Sequence, residues 1–340
     1  MALRENDVNY SVSNEEIKKL SEQAQKYTEK LSLVFDECHK VIVGQQDALE
    51  KILISIIADG HILLESVPGL AKTLMVKTMA QIFDVNQVRI QFTPDLLPAD
   101  IVGTKIYKSA SGSFVTQKGP IFHNFVLADE INRAPPKVQS ALLEVMQERN
   151  VTIHGDTFEL EKPFLVLATQ NPIENEGTYK LPEAQVDRFA LKIIIDYPSK
   201  QEELEIIERN SSGQSNSVQP IISPNEILEI QKFNEKIYAD KVITEYIADI
   251  VNATRNPKDY DLDLENMIEF GASPRASIWL MRTAKANALL NGRGFIIPED
   301  VKAVAHEVLR HRIILTFEAE ANGITSDKVI DFVLEKITTP

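Results

Sequence analysis

The chain has 340 residues, 44% of them hydrophobic, so it can bury a substantial core and fold into more than one domain. The 50 acidic residues outnumber the 36 basic ones, and the resulting net charge of −14 disfavours electrostatic binding to DNA or RNA. Cys38 is the only cysteine, which excludes an intramolecular disulfide and favours a reducing, cytoplasmic location.

The N-terminal segment predicts a helix and no export signal. Acidic residues stand where a signal peptide needs a basic start followed by an apolar run. Ser13 and Glu16 have the spacing of a capping box, and the polar run after them predicts a surface helix that reaches about Lys40. We interpret residues 1–40 as an N-terminal extension. Apolar runs such as 191–195 are far shorter than the roughly 18 positions that a membrane span requires.

Five short apolar runs follow, and they alternate with helical patterns. They comprise residues 61–65, 88–92, 125–129, 164–169 and 190–196. Strands that alternate with helices indicate an α/β fold built on a five-stranded parallel sheet. We assign this core to residues 41–198.

The pattern changes after residue 198. A Glu-rich helix reaches about Asn210, and the serine-rich stretch 211–217 after it predicts a flexible connection, so that 199–222 forms a linker. Helix starts at Ser223-Pro224, Ser273-Pro274 and Pro298, without a clear strand pair, predict a helical domain over residues 223–340.

Residues 61–73 read HILLESVPGLAKT, an apolar strand that runs into a tight loop and then a helix. Pro68 and Gly69 supply the turn. Backbone N–H groups of such a loop and of the helix N-terminus bind phosphates, while Lys72 reaches the β- and γ-phosphates and Thr73 binds magnesium. The segment therefore predicts a P-loop for ATP and Mg²⁺.

Two positions depart from the P-loop template, which has glycine where this chain has Ser66 and Ala71. Ala71 can replace glycine if it already lies in the helix, because alanine readily takes helical dihedrals. Ser66 keeps an alternative open, in which Lys72 and Thr73 only begin an ordinary helix.

Carboxylates follow the third strand candidate. In FVLADE, Asp129 and Glu130 end an apolar run, as expected of a Walker B element. Asp129 would hold Mg²⁺ through water, and Glu130 would orient and polarise the attacking water. An acidic pair after a strand is often only a loop start, but its place downstream of the P-loop favours the catalytic interpretation.

Three further polar residues complete the candidate site. Asn171 follows the fourth strand, where its amide could bind the γ-phosphate, although Asn-Pro is also a common turn. Arg188 precedes the fifth strand, and its alternative is a surface Asp–Arg pair. Arg275 lies in the first turn of a helix, where a cation opposes the helix dipole, so we expect it to face phosphate in an element that folds over the nucleotide.

Six segments taken together resemble the MoxR family of AAA+ ATPases, from residue 41 to the C-terminus. They read VIVGQ (41–45), VPGLAKT (67–73), ADEINRAPPK (128–137), ATQNP (168–172), LPEAQVDRF (181–189) and GASPRA (271–276). The resemblance implies a P-loop NTPase core of the AAA+ type followed by an α-helical lid. It also implies an insert in helix 2 around 91–122 and a hairpin before sensor 1 around 151–161.

The resemblance assigns roles to single residues. The nucleotide-binding set is Val43, Gly44, Pro68, Gly69, Leu70, Ala71, Lys72, Thr73 and Leu74, with Val43 and Gly44 at the adenine. Thr73 and Asp129 are the magnesium ligands, and Lys72 and Glu130 act in catalysis. Asn171 matches sensor 1, Arg188 the arginine finger offered to the neighbouring subunit, and Arg275 sensor 2 in the lid.

The resemblance further implies a hexameric ring with ATP between core and lid. Its work would be chaperone-like maturation of protein clients, among them proteins with a von Willebrand factor A domain. One alternative is a scaffold that binds ATP with little turnover, for which Ser66 is the best argument. Another is a magnesium-chelatase-like subunit or a nucleic-acid motor, and the acidic charge argues against the motor.

Overall fold

The computed structural model describes residues 13–109, 112–172, 177–211 and 217–340. Its strands are β1 (Ile62–Glu65), β2 (Gln87–Gln91), β3 (Gly103–Lys108), β4 (Ser113–Lys118), β5 (Phe125–Asp129), β6 (Asn150–Ile153), β7 (Asp156–Glu159), β8 (Leu165–Gln170), β9 (Leu191–Ile194), β10 (Ile268–Phe270) and β11 (Ile314–Leu315). Its helices are α1 (Asn14–His39), α2 (Gln46–Ile57), α3 (Lys72–Ile82), α4 (Pro98–Val102), α5 (Pro136–Glu148), α6 (Glu183–Val186), α7 (Lys200–Ser211), α8 (Pro224–Lys236), α9 (Lys241–Ala253), α10 (Pro274–Leu290), α11 (Pro298–Leu309), α12 (Phe317–Ala321) and α13 (Ser326–Lys336).

A five-stranded parallel sheet forms the centre of the N-terminal part, in the order β2-β5-β8-β1-β9. Its members are the five runs that the sequence predicts, with ends shifted by one or two residues, so the predicted α/β class is confirmed. Side chains alternate between two cores: Leu63 and Val126 face the core that contains α5, whereas Ile62 faces the core of α2 and α3. This two-sided burial explains the nearly continuous apolar strands.

The parallel strands give the sheet two chemically different edges. We call the edge where β1, β5 and β8 end the carboxyl edge, and the edge where they begin the amino edge. His61 marks the amino edge, because its Nδ1 accepts from Val166 N at 3.0 Å and its carbonyl accepts from Ala190 N at 2.8 Å. Burial holds the pKa of His61 well below its usual value, so the imidazole stays neutral there.

Helix α1 lies where the sequence predicts a surface helix, and it buries one narrow face. Ala24, Leu31, Val34 and Cys38 are buried in the main core, and α1 packs on α3 and on α10. Thr28 Oγ1 also donates to the carbonyl of Leu289 at 2.5 Å. The spacing of the buried residues forms a narrow apolar stripe, which the many charged residues between them conceal in the sequence.

The C-terminal part consists of helices α8 to α13, as predicted, but it also contains a small antiparallel sheet. Strands β10 and β11, which precede α10 and α12 in the chain, pair with each other. No strand pattern predicted them, because each strand has at most three residues. Helix α7 matches the predicted Glu-rich helix. Most of the predicted flexible connection, residues 212–216, lies outside the described residues.

Two antiparallel hairpins project from the core. Strands β3 and β4 pair within the region 91–122, and β6 and β7 pair within 151–161. On the first hairpin, the rings of Tyr107 and Phe114 contact each other at a 60° tilt with centroids 5.3 Å apart, and the residues remain 57% and 70% exposed. Within the ranges that the structure describes, no helix is long and apolar enough to cross a membrane.

Candidate nucleotide site

The predicted phosphate loop joins β1 to α3 at the carboxyl edge. Pro68, Gly69 and Ala71 are exposed, and α3 begins at Lys72. The free N–H groups of this helix start therefore face solvent together with the loop, as an anion-binding site requires. Lys72 Nζ lies 3.4 Å from the carbonyl oxygen of Ser66, so the lysine bends back over the loop.

The two unusual loop positions behave differently. Ala71 has φ 55° and ψ 20°, a left-handed conformation that precedes the helix. The expectation that Ala71 already lies in the helix is therefore wrong, and the residue bears the strain that glycine would avoid. Ser66 does not have a positive φ, and its N–H donates to Gln170 O at 3.3 Å as an extension of the β1–β8 ladder. Serine at 66 thus causes no backbone strain.

Ala71→Gly should relieve this strain. A left-handed alanine costs about 1–2 kcal/mol, so we expect the free energy of unfolding to rise by about 1 kcal/mol after glycine's greater unfolded-state entropy is included. Chemical denaturation measures the change. Ala248→Gly, at an exposed position within α9, is the matched control and should lower stability by about 1 kcal/mol. Equal losses in both variants would contradict the strain at Ala71.

Asp129 ends β5 in a network of hydrogen bonds. Its Oδ1 accepts from Thr169 Oγ1 at 2.7 Å, and its Oδ2 accepts from Nε and Nη2 of Arg89 at 3.0 and 2.6 Å. Thr169 Oγ1 in turn accepts from the backbone N–H of Glu130 at 2.8 Å. These contacts fix the carboxylate of Asp129 in one orientation.

Glu130 has φ 57°, a left-handed conformation that glutamate rarely adopts. Its Oε2 accepts from Gln91 Nε2 at 2.8 Å and lies 3.0 Å from Arg133 Nε. Strained backbone at the end of a central strand is typical of functional sites, where the surrounding structure holds it. The strain turns the side chain of Glu130 out of the strand direction.

Hydrogen bonds between neighbouring strands connect the phosphate loop to Asp129 and Glu130. Ser66 bonds to Gln170 at the end of β8, and the adjacent Thr169 bonds to Asp129 at the end of β5. Asn171, which follows β8 directly, is buried at this same edge. The structure therefore brings Lys72, Thr73, Asp129, Glu130 and Asn171 to the carboxyl edge.

The predicted adenine segment also lies at the carboxyl edge. Next to Val43 and Gly44, Gln45 Nε2 donates to the carbonyl of Asp196, just beyond β9, at 3.0 Å. Gly44 has φ 65°, and a Cβ there would come within 2.0 Å of Glu202 Oε1. The positive φ favours glycine at 44, whereas the carboxylate of Glu202 is the end of a flexible side chain that could move away.

Arg188 and Arg275 lie at the amino edge, away from the phosphate loop. Arg188 Nη1 donates to Leu143 O at 2.9 Å, and Arg275 Nη1 lies 3.3 Å from Asp187 Oδ2. Both arginines line a cavity of about 370 Å³ together with His61. The full length of β1 separates the two edges, so this position does not favour the expectation that Arg275 folds over the nucleotide of its own chain.

Asp187 fixes these arginines relative to the lid. It accepts from Ser273 Oγ at 2.9 Å and from the buried Arg312 Nε at 2.8 Å. Burial lowers the pKa of Arg312 to about 10, yet the guanidinium stays charged at neutral pH and also donates to Phe189 O at 2.6 Å. These contacts thus join Ser273, the N-cap of α10, and the loop that carries Arg188 into one rigid unit.

The cavity at the amino edge carries a surplus of positive charge. Arg149 and Arg282 line it as well, so four arginines face Asp59, whose carboxylate is the single one among the described lining residues and lies 3.2 Å from Arg149 Nη2. Among the described residues, no acceptor lies within hydrogen-bond distance of Arg188 Nε, although this atom is buried. A buried donor without a partner in a cationic cavity suits an anion supplied from outside the chain.

Several residues of the site were missed by sequence reasoning. Arg89, Gln91 and Thr169 contact the acidic pair, and Arg282 lines the cavity at the amino edge. The alternating polar residues of β2 were a signal for an exposed strand face beside β5, but no motif identifies their partners.

The donor set fits a magnesium ion that is held jointly with phosphates. In the described parts of the chain, no cluster of three or more His, Cys, Asp or Glu side chains could hold a metal by itself. Thr73 offers a hydroxyl at the first turn of α3, and Asp129 offers a carboxylate, which are oxygen donors of the kind that Mg²⁺ prefers.

Comparisons with known proteins agree with this geometry. Residues 61–191 match the model of the ATPase family associated with various cellular activities (AAA), and residues 262–332 match the AAA lid domain. The chain is 48% identical to Chaperone MoxR1 of Mycobacterium tuberculosis over 305 residues, covering 89% of this chain and 81% of the relative. It is 42% identical to protein YeaC of Bacillus subtilis over 311 residues, covering 91% and 95%.

A solved structure supports the same assignment. A crystal structure from Cytophaga hutchinsonii superposes with a TM-score of 0.89 at 52% identity, covering 96% of this chain and 99% of that one. The two matched domains, the phosphate loop and the acidic pair at the carboxyl edge, and the similarity along nearly the whole chain lead to one conclusion. The chain belongs to the MoxR family of AAA+ ATPases.

Proposed function

We propose that this ATPase hydrolyses ATP at the junction of two subunits in a hexameric ring. The observation that carries the proposal is the division of the candidate residues between two edges of one sheet. Lys72, Thr73, Asp129 and Glu130 lie at the carboxyl edge, whereas Arg188 and Arg275 lie at the amino edge. A head-to-tail ring joins such opposite surfaces of neighbouring subunits.

Each residue at the carboxyl edge has a chemical task in this proposal. The loop 68–74 binds the phosphates through its N–H groups, and Lys72 neutralises their charge. Thr73 and Asp129 hold Mg²⁺, which when bound neutralises charge on the phosphate oxygens. Glu130 orients and polarises the attacking water, and Asn171 fixes that water or the γ-phosphate.

The arginines at the amino edge complete the neighbouring site. Arg188 has an unsatisfied buried donor, and Arg275 is 47% exposed beside it. Both would reach the γ-phosphate bound by the adjacent subunit, where an arginine in trans is worth about 10³–10⁵ in rate. An isolated subunit is therefore almost inactive, and assembly controls turnover.

The work of hydrolysis is chaperone-like remodelling of protein clients. The similarity to Chaperone MoxR1 supports this role. Loss of the γ-phosphate would release the contact between neighbouring subunits and change their arrangement. The exposed Tyr107 and Phe114 on the first hairpin offer an apolar surface to a client. Our candidate clients are proteins with a von Willebrand factor A domain, and the proposed location is the cytoplasm.

Neither alternative function has comparable support. Ser66 has an unstrained backbone, so the best argument for a scaffold with little turnover is weakened. A net charge of −14 argues against a nucleic-acid motor, and the magnesium-chelatase-like alternative has no residue in its favour beyond those shared with the AAA+ core.

Phosphate release measured against protein concentration tests the proposal. We expect the rate per subunit to rise steeply with concentration as rings assemble, in parallel with the mass measured by light scattering. Added double-stranded DNA should leave the rate unchanged. A rate per subunit that is independent of concentration in a monomeric sample would reject hydrolysis at a subunit junction.

A further inference from the structure

Arg89 makes an ion pair that the proposed mechanism does not use. It lies on β2, the edge strand of the sheet, opposite Leu127 of β5. Its side chain is 50% exposed, whereas that of Asp129 is 11% exposed. Arg89 Nη2 also donates to Gln91 Oε1 at 2.8 Å, so a second contact helps to hold the guanidinium beside the carboxylate.

Most of the hydrogen-bond acceptor positions on the Asp129 carboxylate are already used. An ionised carboxylate has about four lone-pair positions. Arg89 takes two of them on Oδ2, and Thr169 takes one on Oδ1. In the part of the chain that the structure describes, these bonds leave one position, on Oδ1, for a further donor.

The charge of Asp129 is likewise compensated. A guanidinium is protonated at every relevant pH, and at 2.6 Å it forms a strong, charge-assisted hydrogen bond. Magnesium gives up its hydration water reluctantly and usually binds through one or two carboxylates together with substrate phosphates. A carboxylate that is already neutralised attracts a free cation weakly, whereas a triphosphate brings its own negative charge.

We propose that Arg89 is a positioning residue that occupies Oδ2 of Asp129 and makes metal binding at this site depend on the presence of nucleotide. Asp129 would then offer only the free position of Oδ1 towards a magnesium ion that is held with the nucleotide. The inference rests on the proposed nucleotide site and adds to it a reason why the site does not bind the metal alone.

Arg89→Met tests this role, because methionine removes the charge and retains much of the apolar stem. Mn²⁺ serves as a probe for Mg²⁺, and the loss of its free electron paramagnetic resonance signal measures binding to the full-length protein. We expect the variant to bind Mn²⁺ without nucleotide about tenfold or more tightly than the wild type, the range seen when outer-shell partners of a metal ligand change. Arg89→Lys retains a cation and should restore most of the nucleotide dependence.

Two controls make the result interpretable. Arg209→Met removes an arginine that pairs with Glu205 on α7, and it should bind Mn²⁺ like the wild type. If Arg89→Met fails to fold, as judged by circular dichroism and thermal melting, Arg89→Gln replaces it, since glutamine can still bond to a carboxylate without a charge.

The outcomes separate this role from the proposed function. Equal nucleotide-free Mn²⁺ binding by wild type and Arg89→Met, or weaker binding by the variant, would overturn the role of Arg89 and leave the nucleotide site intact. A wild-type protein that shows no ATP binding by calorimetry in the presence of Mn²⁺ would overturn the nucleotide site itself.

Discussion

Arg188→Ala is expected to lower kcat by about 10³–10⁵, because we propose that this residue stabilises charge on a phosphate bound by the neighbouring subunit. The structure places Arg188 at the amino edge, so the loss should leave nucleotide affinity nearly unchanged. Steady-state phosphate release and calorimetry with ATP measure the two quantities. Arg188→Lys should recover only part of the rate, since it keeps the charge but loses the planar fork.

Mixing variants tests whether the arginine acts between subunits. Lys72→Ala should lose ATP binding, because it removes the cation of the phosphate loop, but it keeps Arg188 at the amino edge. A mixture of Lys72→Ala and Arg188→Ala should therefore hydrolyse ATP well above the sum of the separate proteins. A mixture no more active than that sum would contradict a role of Arg188 in the neighbouring site. As a control, Arg209→Ala should hydrolyse ATP without any partner variant.

The same mixture separates the two possible roles of Arg275. If Arg275 acts on the neighbouring subunit, Arg275→Ala should complement Lys72→Ala just as Arg188→Ala does. If it reached the nucleotide of its own chain, the mixture would stay inactive, because neither protein would hold a complete phosphate loop with its lid arginine. The amino-edge position beside Asp187 favours complementation.

The carboxyl edge could be predicted because it depends on order along the chain. Parallel strands end at one edge, so an apolar run followed by Lys72 and another followed by Asp129 must bring these residues near each other once the runs pair. The conformation of Ala71 could not be predicted, since it depends on how the loop meets the first turn of α3. Propensity favours alanine in a helix, and the geometry of the loop overrides it here.

Arg275 and Arg89 show what sequence patterns do not contain. The position of Arg275 depends on how the lid docks, and that docking is set by contacts over long separations, such as Asp187 with Arg312. Arg89 is an ordinary charged residue on an edge strand, and only the register of β2 against β5 brings it to Asp129. Local periodicity identifies elements, whereas these two relations depend on tertiary packing.

Glu130→Gln is expected to lower kcat by about 10²–10⁴, the range typical for loss of a general base. Glutamine preserves the size of the side chain, and its oxygen can still accept from Gln91 Nε2, which now bonds to Glu130 at 2.8 Å. The amide cannot take a proton from water at neutral pH. Nucleotide affinity should therefore persist while hydrolysis fails.

Retained ATP is the decisive measurement for this variant. After incubation with ATP and Mg²⁺ and rapid gel filtration, Glu130→Gln should carry intact ATP, whereas the wild type should carry mainly ADP. Glu245→Gln, which alters an exposed carboxylate paired with Lys241 on α9, should turn over like the wild type. Brisk hydrolysis by Glu130→Gln would transfer the activation of water to another group. Glu65 and Asp129 also end inner strands at this edge, and Glu65 Oε2 already lies 2.8 Å from Lys192 Nζ. Since Arg89 and Thr169 already bind both oxygens of Asp129, that carboxylate is poorly suited to accept the proton, which leaves Glu130 as the base that this geometry supports.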